Sequence, residues 1–370
     1  MSSLPLMGRL VQGVMLPQHP SYLVFFITSR CNCSCPMCFN RRNVEATEKP
    51  PEVTLTEVKK LARSISPLPQ LLLSGGEPFI REDVSEIVHY FYRHSGTRQV
   101  SIPTNGALTG TIVPSVTRML RQCPDLFLNV NFSIDGIGEE HDRSRRLDGC
   151  FNRLTETYQR LVELRRRNPR LSLNAITIIK SDNAQRMMEI IKHIRGSFDL
   201  NYHSLGLVRG DVEFAETDFD MDSVEQKLDE LYSADGGINK IPVFNRLAPA
   251  MSKLIRRTMK DARSSPQRNF HCLAGRKIVV VTSEGDLYPC EPLWLEPDIR
   301  KSSDMTTYRM AALKDHNFNI KAALRTDKAK AINHYIDQKK CSCQYACAML
   351  NSIMYCPKMY PRYLKEIIWV

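Results

Sequence analysis

The chain has 370 residues, of which 42% are hydrophobic and 25% charged, and its formal net charge is +11. This mix is typical of a globular protein with room for one large domain and a smaller one. The apolar stretch between Pro5 and Pro17 is too short for a signal peptide or a membrane-spanning helix, so the predicted location is cytoplasmic.

The cysteines and the charge pattern set further limits. Twelve cysteines in a reducing compartment are not expected to form disulfides, and thiols grouped at short intervals favour metal or cluster ligation. Residues 141–170 are basic whereas residues 211–230 are acidic, so we interpret the excess positive charge as a solvated surface. Neither a nucleic-acid partner nor a peripheral membrane contact is favoured by this pattern.

From residue 22 the sequence repeats a unit of β-strand, polar tip and amphipathic helix. The helical segments include TLTEVKKLARSI, in which Thr54 and Glu57 are spaced as a capping box. The strands recur mostly about thirty residues apart, which is the spacing of βαβ units. The apolar, β-rich runs that predict these strands are residues 22–28, 70–74, 99–103, 126–133, 171–178 and 202–208.

Six such units predict an α/β fold with a parallel sheet, either open or closed into an incomplete barrel. In both arrangements the polar tips gather at the carboxyl ends of the strands, where ligands bind. The repeat of strands and helices ends after Val208. Residues 241–263 then predict a basic amphipathic helix. The predicted divisions are an N-terminal extension (1–20), an α/β domain (21–210), a helical linker (211–265) and a C-terminal domain (266–370).

The first polar tip, SRCNCSCPMCFN at residues 29–40, carries four cysteines. Cys31, Cys35 and Cys38 have the spacing C-x3-C-x2-C. Three thiolates on a tight loop can hold three corners of a [4Fe–4S] cube and leave the fourth iron open to a small molecule. Cys33 lies between them, so C-x-C-x-C is an alternative triad.

The next three tips are SGGEP, PTNG and SIDG. Paired glycines let the backbone approach a ligand, and the carboxylate, hydroxyl and amide groups beside them can hydrogen-bond it. The residues concerned are Gly75, Gly76, Glu77, Thr104, Asn105, Ser133 and Asp135.

The cysteine spacing after a first strand, followed by these tips in this order, resembles the radical S-adenosylmethionine (SAM) superfamily. The resemblance implies a partial (β/α)6 TIM-like barrel over residues 21–210 and a [4Fe–4S] cluster on Cys31, Cys35 and Cys38. It also implies a reducing electron donor resembling flavodoxin or ferredoxin, and cleavage of SAM to a 5′-deoxyadenosyl radical that abstracts hydrogen. The implied SAM-binding residues are Gly75, Gly76, Glu77, Thr104, Asn105, Ser133, Asp135 and Arg145.

Other polar residues are open to two interpretations. In HDRSRR, which follows SIDG, Arg143 or Arg145 can meet a carboxylate or phosphate, or can belong to a solvated loop. Asn174 and Thr177 on the fifth strand and His203 on the sixth either contact substrate or form hydrogen bonds in the core, because alternation turns about half of such residues inward.

A second cysteine group follows residue 265. Cys272 and Cys290 flank a predicted β-hairpin with the apolar run IVVVT, and Cys341, Cys343 and Cys347 come later. The layout resembles the SPASM or twitch extensions of radical SAM enzymes, a small α+β domain with auxiliary clusters, although the match is partial. Six cysteines are too few for two fully ligated cubes, so we expect one auxiliary [4Fe–4S] cluster. The expected ligands are Cys272, Cys290 and two of Cys341, Cys343 and Cys347, with Cys356 a weaker candidate.

The substrate is not identified by any motif. About twenty residues precede the first strand, too few for the leader-binding domain that peptide-modifying members often carry. This favours a small molecule, sugar or lipid-linked substrate over a peptide- or protein-modifying maturase. A zinc site with four cysteines is the alternative to the auxiliary cluster, and a non-enzymatic zinc-binding nucleic-acid protein is the alternative of another class.

Overall fold

The computed structural model describes residues 16, 18–209, 254–255, 257–259, 261, 270–295, 307–339, 341 and 345–368. The acidic segment 211–230, most of the predicted linker and Cys343 lie outside these residues. Of the predicted amphipathic helix, the structure describes Leu254 and Ile255 as helical. No helix in the described parts of the chain is long and apolar enough to cross a membrane.

Six parallel strands and the helices between them confirm the predicted α/β units. Each strand pairs with its sequence neighbour, so β1 to β6 lie in chain order across one sheet. The strands are β1 (Tyr22–Thr28), β2 (Gln70–Gly75), β3 (Gln99–Thr104), β4 (Phe127–Ser133), β5 (Leu171–Ile179) and β6 (Tyr202–Leu207).

Of the connecting helices, the one that begins after Thr54 has the side-chain cap that the sequence predicts. The side chain of Thr54 accepts a hydrogen bond from Glu57 N, and the Glu57 carboxylate accepts one from Thr54 N at 2.8 Å, so the predicted capping box is present. The helices are α1 (Arg41–Val44), α2 (Leu55–Ser64), α3 (Val84–His94), α4 (Thr109–Gln122), α5 (Glu139–Arg145), α6 (Cys150–Arg166) and α7 (Met187–Ser197).

The two faces of the sheet differ in character. Side chains that point outward, such as Leu128, Val130 and Phe132 on β4, are fully buried under the helices. Phe132 packs edge-on against Tyr158 of α6, with 5.8 Å between ring centroids. The alternate positions Asn129, Asn131 and Ser133 are only partly buried and face inward, and Phe127 at the start of β4 is exposed. The core therefore lies between the sheet and the helices, and the inward face is left for other uses.

The C-terminal part of the chain extends the same sheet. Strand β7 (Ile278–Val281) pairs in parallel with β1, and β8 (Asp286–Tyr288) returns antiparallel to it. The predicted hairpin between Cys272 and Cys290 is thus confirmed, while its pairing with β1 was not predicted. Further elements are α8 (Glu291–Leu295), β9 (Ala311–Ala312), α9 (Ile320–Ala323), α10 (Asp327–Asp337), α11 (Ala346–Tyr355) and α12 (Tyr360–Ile368).

Thr177 and His203 point outward and bind each other in the core. His203 Nε2 lies 2.8 Å from Thr177 Oγ1, and that hydroxyl donates to the Ile134 carbonyl at 2.6 Å. This network assigns the ring proton of the neutral histidine to Nε2. Burial, together with the positive charge of Arg195, lowers the pKa of His203 to about 3. Both residues therefore serve packing, whereas Asn174 faces inward.

We predict that His203 makes the protein less stable in mild acid. Below pH about 6.5 the unfolded chain binds a proton at this histidine that the folded chain does not. The free energy of unfolding then falls by up to about 1.4 kcal/mol per pH unit as the pH drops towards 3. Urea unfolding at pH about 7 and about 5 should show a smaller loss for His203→Gln than for the wild type. Equal losses would contradict the assigned burial.

Candidate functional site

The carboxyl ends of β1 to β4 and the cysteine loop enclose a cavity of about 150 Å³. Cys33 lines it together with nearly all the site residues predicted for this domain. Asp135 does not line the cavity, and Arg143 is exposed on α5. The predicted residues that line it are Cys31, Cys35, Cys38, Gly75, Gly76, Glu77, Thr104, Asn105, Ser133 and Arg145.

Backbone contacts hold the cysteine loop on two sides, while Cys33, Cys35 and Met37 pack in a small buried cluster with Val208. Cys38 N donates to Cys35 O at 3.2 Å, which closes a turn, and Ser34 N donates to Arg145 O at 3.3 Å. On the other side, Glu77 N donates to Arg30 O at 2.9 Å. The loop is therefore fixed between the end of β2 and helix α5.

Two of the three predicted ligand sulfurs receive an N–H donor. Cys33 N lies 3.4 Å from Cys31 Sγ, and Arg145 Nη1 lies 3.8 Å from Cys35 Sγ. Burial raises the pKa of Cys38 to about 12, and the backbone of Asn40 opposes this rise. N–H donors stabilise the thiolate, which is the form that ligates iron, and they tune the cluster once it is bound. This arrangement fits a cluster with three cysteine ligands.

Cys33 is buried behind the other three loop cysteines. Its thiol, which has one proton to donate, neighbours Cys150, Cys31 and Cys35, and hydrogen bonding among these groups together with burial raises the pKa of Cys33. The same hydrogen bonds lower the pKa of Cys31 and Cys35. Cys150 is in turn 3.7 Å from His141 Nε2. Cys33 is therefore placed to remain a neutral thiol that favours thiolates beside it.

The glycines at the end of β2 allow the backbone to meet the cysteine loop. A Cβ on Gly75, whose φ is +141°, would lie 2.1 Å from Thr28 O. A Cβ on Gly76 would lie 2.0 Å from Arg30 O and 3.0 Å from Cys31 Cβ. Because the first obstacle in both cases is backbone, no side chain can move to make room, and only glycine fits.

Glu77 is buried and linked to the third strand tip. Its Oε1 accepts from Phe79 N at 3.2 Å and Thr104 Oγ1 at 2.9 Å, and its Oε2 accepts from Asn105 N at 2.8 Å. Burial raises the pKa of Glu77 to about 7 in spite of these donors. The two oxygens of a carboxylate have about four acceptor positions, so one position on Oε2 stays open to a ligand.

Arg145 and Asp135 form an ion pair at the edge of the cavity. The guanidinium of Arg145 donates from Nη2 to Asp135, whose second oxygen accepts from Ile178 N at 2.8 Å. Burial alone would lower the pKa of Arg145, but the Asp135 carboxylate raises it. Arg145 is thus a permanent positive charge fixed beside Cys35.

Two asparagines of the cysteine loop were missed by the sequence analysis. Asn32 Oδ1 accepts from Asn105 Nδ2 at 2.8 Å, and Asn40 Nδ2 donates to Gly75 O at 3.1 Å. They join the loop to β3 and β2. The only sequence signal was the presence of amide side chains within the loop, which is also typical of ordinary turns.

The second cysteine group is spread over several segments of the chain. Cys272 and Cys290 lie on adjacent loops, joined by the hydrogen bond from Gly275 N to Pro289 O at 3.1 Å. Cys347, at the start of α11, hydrogen-bonds the Tyr22 hydroxyl. In the described residues, Cys31, Cys35 and Cys38 included, no three Cys, His, Asp or Glu side chains are grouped closely enough to hold one metal ion. Cys341 and Cys356 are buried, and Cys343 lies outside the described residues.

Residues 25–194 match the family model of the Radical SAM superfamily. An AdoMet-dependent heme synthase from Methanosarcina barkeri is 27% identical over 292 residues, which are 75% of this chain and 78% of that protein. A GTP 3′,8-cyclase from Desulforamulus reducens is 26% identical over 182 residues, 47% of this chain and 54% of that protein.

Solved structures extend the similarity of fold beyond the matched domain. The anSMEcpe protein with bound AdoMet has a TM-score of 0.63 at 16% identity, covering 95% of this chain and 96% of its own. SuiB from Streptococcus suis, bound to its precursor peptide SuiA, has a TM-score of 0.52 at 13% identity, covering 76% of this chain and 62% of its own. Both similarities support a SPASM-like arrangement of the C-terminal part.

These comparisons agree with the geometry of the site. The superfamily uses a [4Fe–4S] cluster and SAM, and the cysteine loop lies within the matched residues. The family match favours an enzyme over the zinc-binding nucleic-acid protein that the cysteines alone left open. The chain contains a domain of the radical SAM superfamily, over residues 25–194.

Proposed function

We propose that Cys31, Cys35 and Cys38 hold the [4Fe–4S] cluster of a radical SAM enzyme and that the ends of β2 to β4 hold SAM beside it. The observation that carries this proposal is that all three sulfurs line one cavity, where Cys31 and Cys35 each receive an N–H donor. When bound, the cluster and SAM supply reductive cleavage of SAM and abstraction of a hydrogen atom from the substrate. The electron comes from a flavodoxin- or ferredoxin-like donor.

The end of β2 binds the amino end of SAM in this proposal. Gly75 and Gly76 expose backbone next to the cysteine loop, and Glu77 directs its free Oε2 acceptor position towards the ligand. An ammonium group beside a buried carboxylate forms a strong, charge-assisted hydrogen bond. It also offsets the burial that raises the pKa of Glu77.

The ribose contact is assigned to Ser133. Thr104 and Asn105 already hydrogen-bond Glu77, and the Asp135 carboxylate is taken by Arg145 and Ile178 N. Ser133 lines the cavity, and its hydroxyl has no hydrogen-bond partner among the described residues. Thr104, Asn105 and Asp135 are therefore positioning residues, while Arg145 stabilises negative charge on the thiolates or on the SAM carboxylate.

We propose one auxiliary [4Fe–4S] cluster in the C-terminal part, with Cys272 and Cys290 as two ligands and Cys341, Cys343 or Cys347 supplying the others. The adjacent loops of Cys272 and Cys290 and the burial of the described thiols support it. For the substrate we propose a small molecule. A peptide is the second candidate, because SuiB has been solved with its precursor peptide.

We predict that removing one ligand cysteine abolishes the first cluster alone. In Cys31→Ala, Cys35→Ala or Cys38→Ala, iron after anaerobic reconstitution should fall from about eight to about four atoms per chain. Formation of 5′-deoxyadenosine from SAM should fall by more than about 100-fold, since even outer partners of metal ligands contribute 10- to 100-fold. Cys33→Ala is the matched control and should keep about eight iron atoms. If Cys33→Ala instead lost half of its iron and Cys38→Ala kept all of it, the ligands would be the C-x-C-x-C triad.

We predict that Gly76→Ala disturbs the site while a similar change elsewhere does not. The added methyl group meets Arg30 O at 2.0 Å, so the cysteine loop must shift away from β2. SAM affinity, measured by calorimetry on reconstituted protein, should fall by about 10-fold or more. Gly110→Ala on α4 meets nothing within 4 Å and should leave SAM affinity unchanged. Equal affinities in the two variants would argue against SAM binding at the β2 tip.

A further inference from the structure

The inward face of β3 to β6 is polar beneath the cofactor cavity. In one layer Ser101, Asn129 and Ser172 are in register across three neighbouring strands. In the layer above, nearer the cavity, Asn131 and Asn174 are in register with each other. A closed eight-stranded barrel fills such inward layers mostly with Val, Ile and Leu, whereas this sheet has six parallel strands in the barrel part. The amides and hydroxyls therefore need an explanation other than packing.

The strand alternation leaves no doubt about which face these residues occupy. Their neighbours Leu128, Val130 and Leu173 are fully buried on the outward face. Asn129, Asn131 and Ser172 are only partly buried. Because successive side chains of a strand point to opposite faces, the polar set points inward as a group.

The polar groups are preorganised, yet some remain without partners. Asn174 Nδ2 donates to Asn131 Oδ1 at 2.9 Å, and Ser172 Oγ donates to Asn174 Oδ1 at 2.9 Å. These bonds orient the Asn131 amide and leave its NH2 group with no acceptor among the described residues. The hydroxyl of Ser204 on β6, half-buried beside Ile176, is also without a partner in the described part of the chain.

The inward face of β2 to β6, called the polar wall below, is also uncharged. None of the inward positions on β2 to β6 in the described residues is Asp, Glu, Lys or Arg. Two charged pairs of the described residues, Arg145 with Asp135 and Arg209 with Glu291, are each joined in an ion pair. A phosphate or carboxylate bound here would lack a countercharge on the wall. An acyl chain would exclude water from the amides and hydroxyls of the wall without forming hydrogen bonds to them.

We propose that this wall, centred on Asn131, Asn174 and Ser204, binds a neutral, oxygen-rich part of the substrate. The free donors fit hydroxyl or carbonyl oxygens, as found in a sugar or in a peptide unit. A site of this kind discriminates strongly, because a substrate lacking the matching oxygen leaves the protein groups unpaired. As a statement about substrate the proposal rests on the proposed function, but binding to the wall can be measured without turnover.

The test uses reconstituted protein with SAM and four probes in ligand-observed NMR. The probes are methyl N-acetylglucosaminide, N-acetylalanine methylamide, hexan-1-ol and glucose 6-phosphate. At least one of the first two should bind, and more tightly than hexan-1-ol and glucose 6-phosphate; which of them binds better distinguishes a sugar from a peptide substrate. Tighter binding of hexan-1-ol or glucose 6-phosphate, or binding of none of the four, would overturn the proposal.

Variants locate the binding. Asn131→Leu and, independently, Ser204→Ala should each weaken binding of the preferred probe by about 5- to 10-fold, the value of one hydrogen bond. Ser204→Ala removes a hydroxyl without a partner in the described residues, so it keeps the test decisive if Asn131→Leu does not fold. Asn152→Leu on the exposed side of α6 is the control and should bind as the wild type does.

Iron content and 5′-deoxyadenosine formation are measured in parallel. Wild-type binding by both Asn131→Leu and Ser204→Ala would overturn the proposal even if both variants cleave SAM. Failure of the wild type to cleave SAM would refute the proposed function without affecting the probe measurements. The two failures are therefore distinguishable.

Discussion

The close approach of backbone to backbone at the ends of β1 and β2 is the constraint on which the site depends. The register between these strands shifts after Phe26, which turns the end of β1 towards the cysteine loop. Gly76 N then donates to Thr28 O at 2.8 Å, and Glu77 N donates to Arg30 O. Any Cβ on the two glycines would occupy the space of these carbonyl groups. The loop that carries the ligand cysteines is thus positioned by the absence of side chains.

Burial then decides what each polar group of the site can do. Glu77, Arg145 and Asp135 are held in a poorly solvated wall where an unpaired charge is costly, so each has a charged or hydrogen-bonding partner. The pairing consumes nearly all of their hydrogen-bonding capacity. What remains open, one acceptor position on Glu77 and the hydroxyl of Ser133, is a short and specific set of contacts for a ligand. The selectivity for a ligand therefore depends on which hydrogen-bonding positions are already occupied as much as on which remain open.

The sequence predicted the local features well and the long-range ones poorly. Strand periodicity, the Thr54 capping box and the hairpin after Cys272 are encoded within about twenty residues, and the structure confirms them. The pairing of β7 with β1 and the contact of Cys33 with Cys150 join segments more than 100 residues apart, for which a single sequence carries no signal. The alternation of side chains along β6 likewise did not predict that His203 points outward. Alternation separates the two faces of a strand, but it does not show which face the helices cover.

Position along the strands separates the two tasks of the site. The cysteine loop and the glycines follow β1 and β2, the ends of β3 and β4 complete the proposed SAM site, and the polar wall lies lower on the inward face of β3 to β6. Substitutions at Asn131 or Ser204 therefore change what is bound without touching the backbone contacts that position the cysteines. This separation is a physical reason why one cofactor site can serve many substrates: glycine and backbone contacts at the strand ends fix the cysteine loop, while inward side chains further along the strands are free to vary.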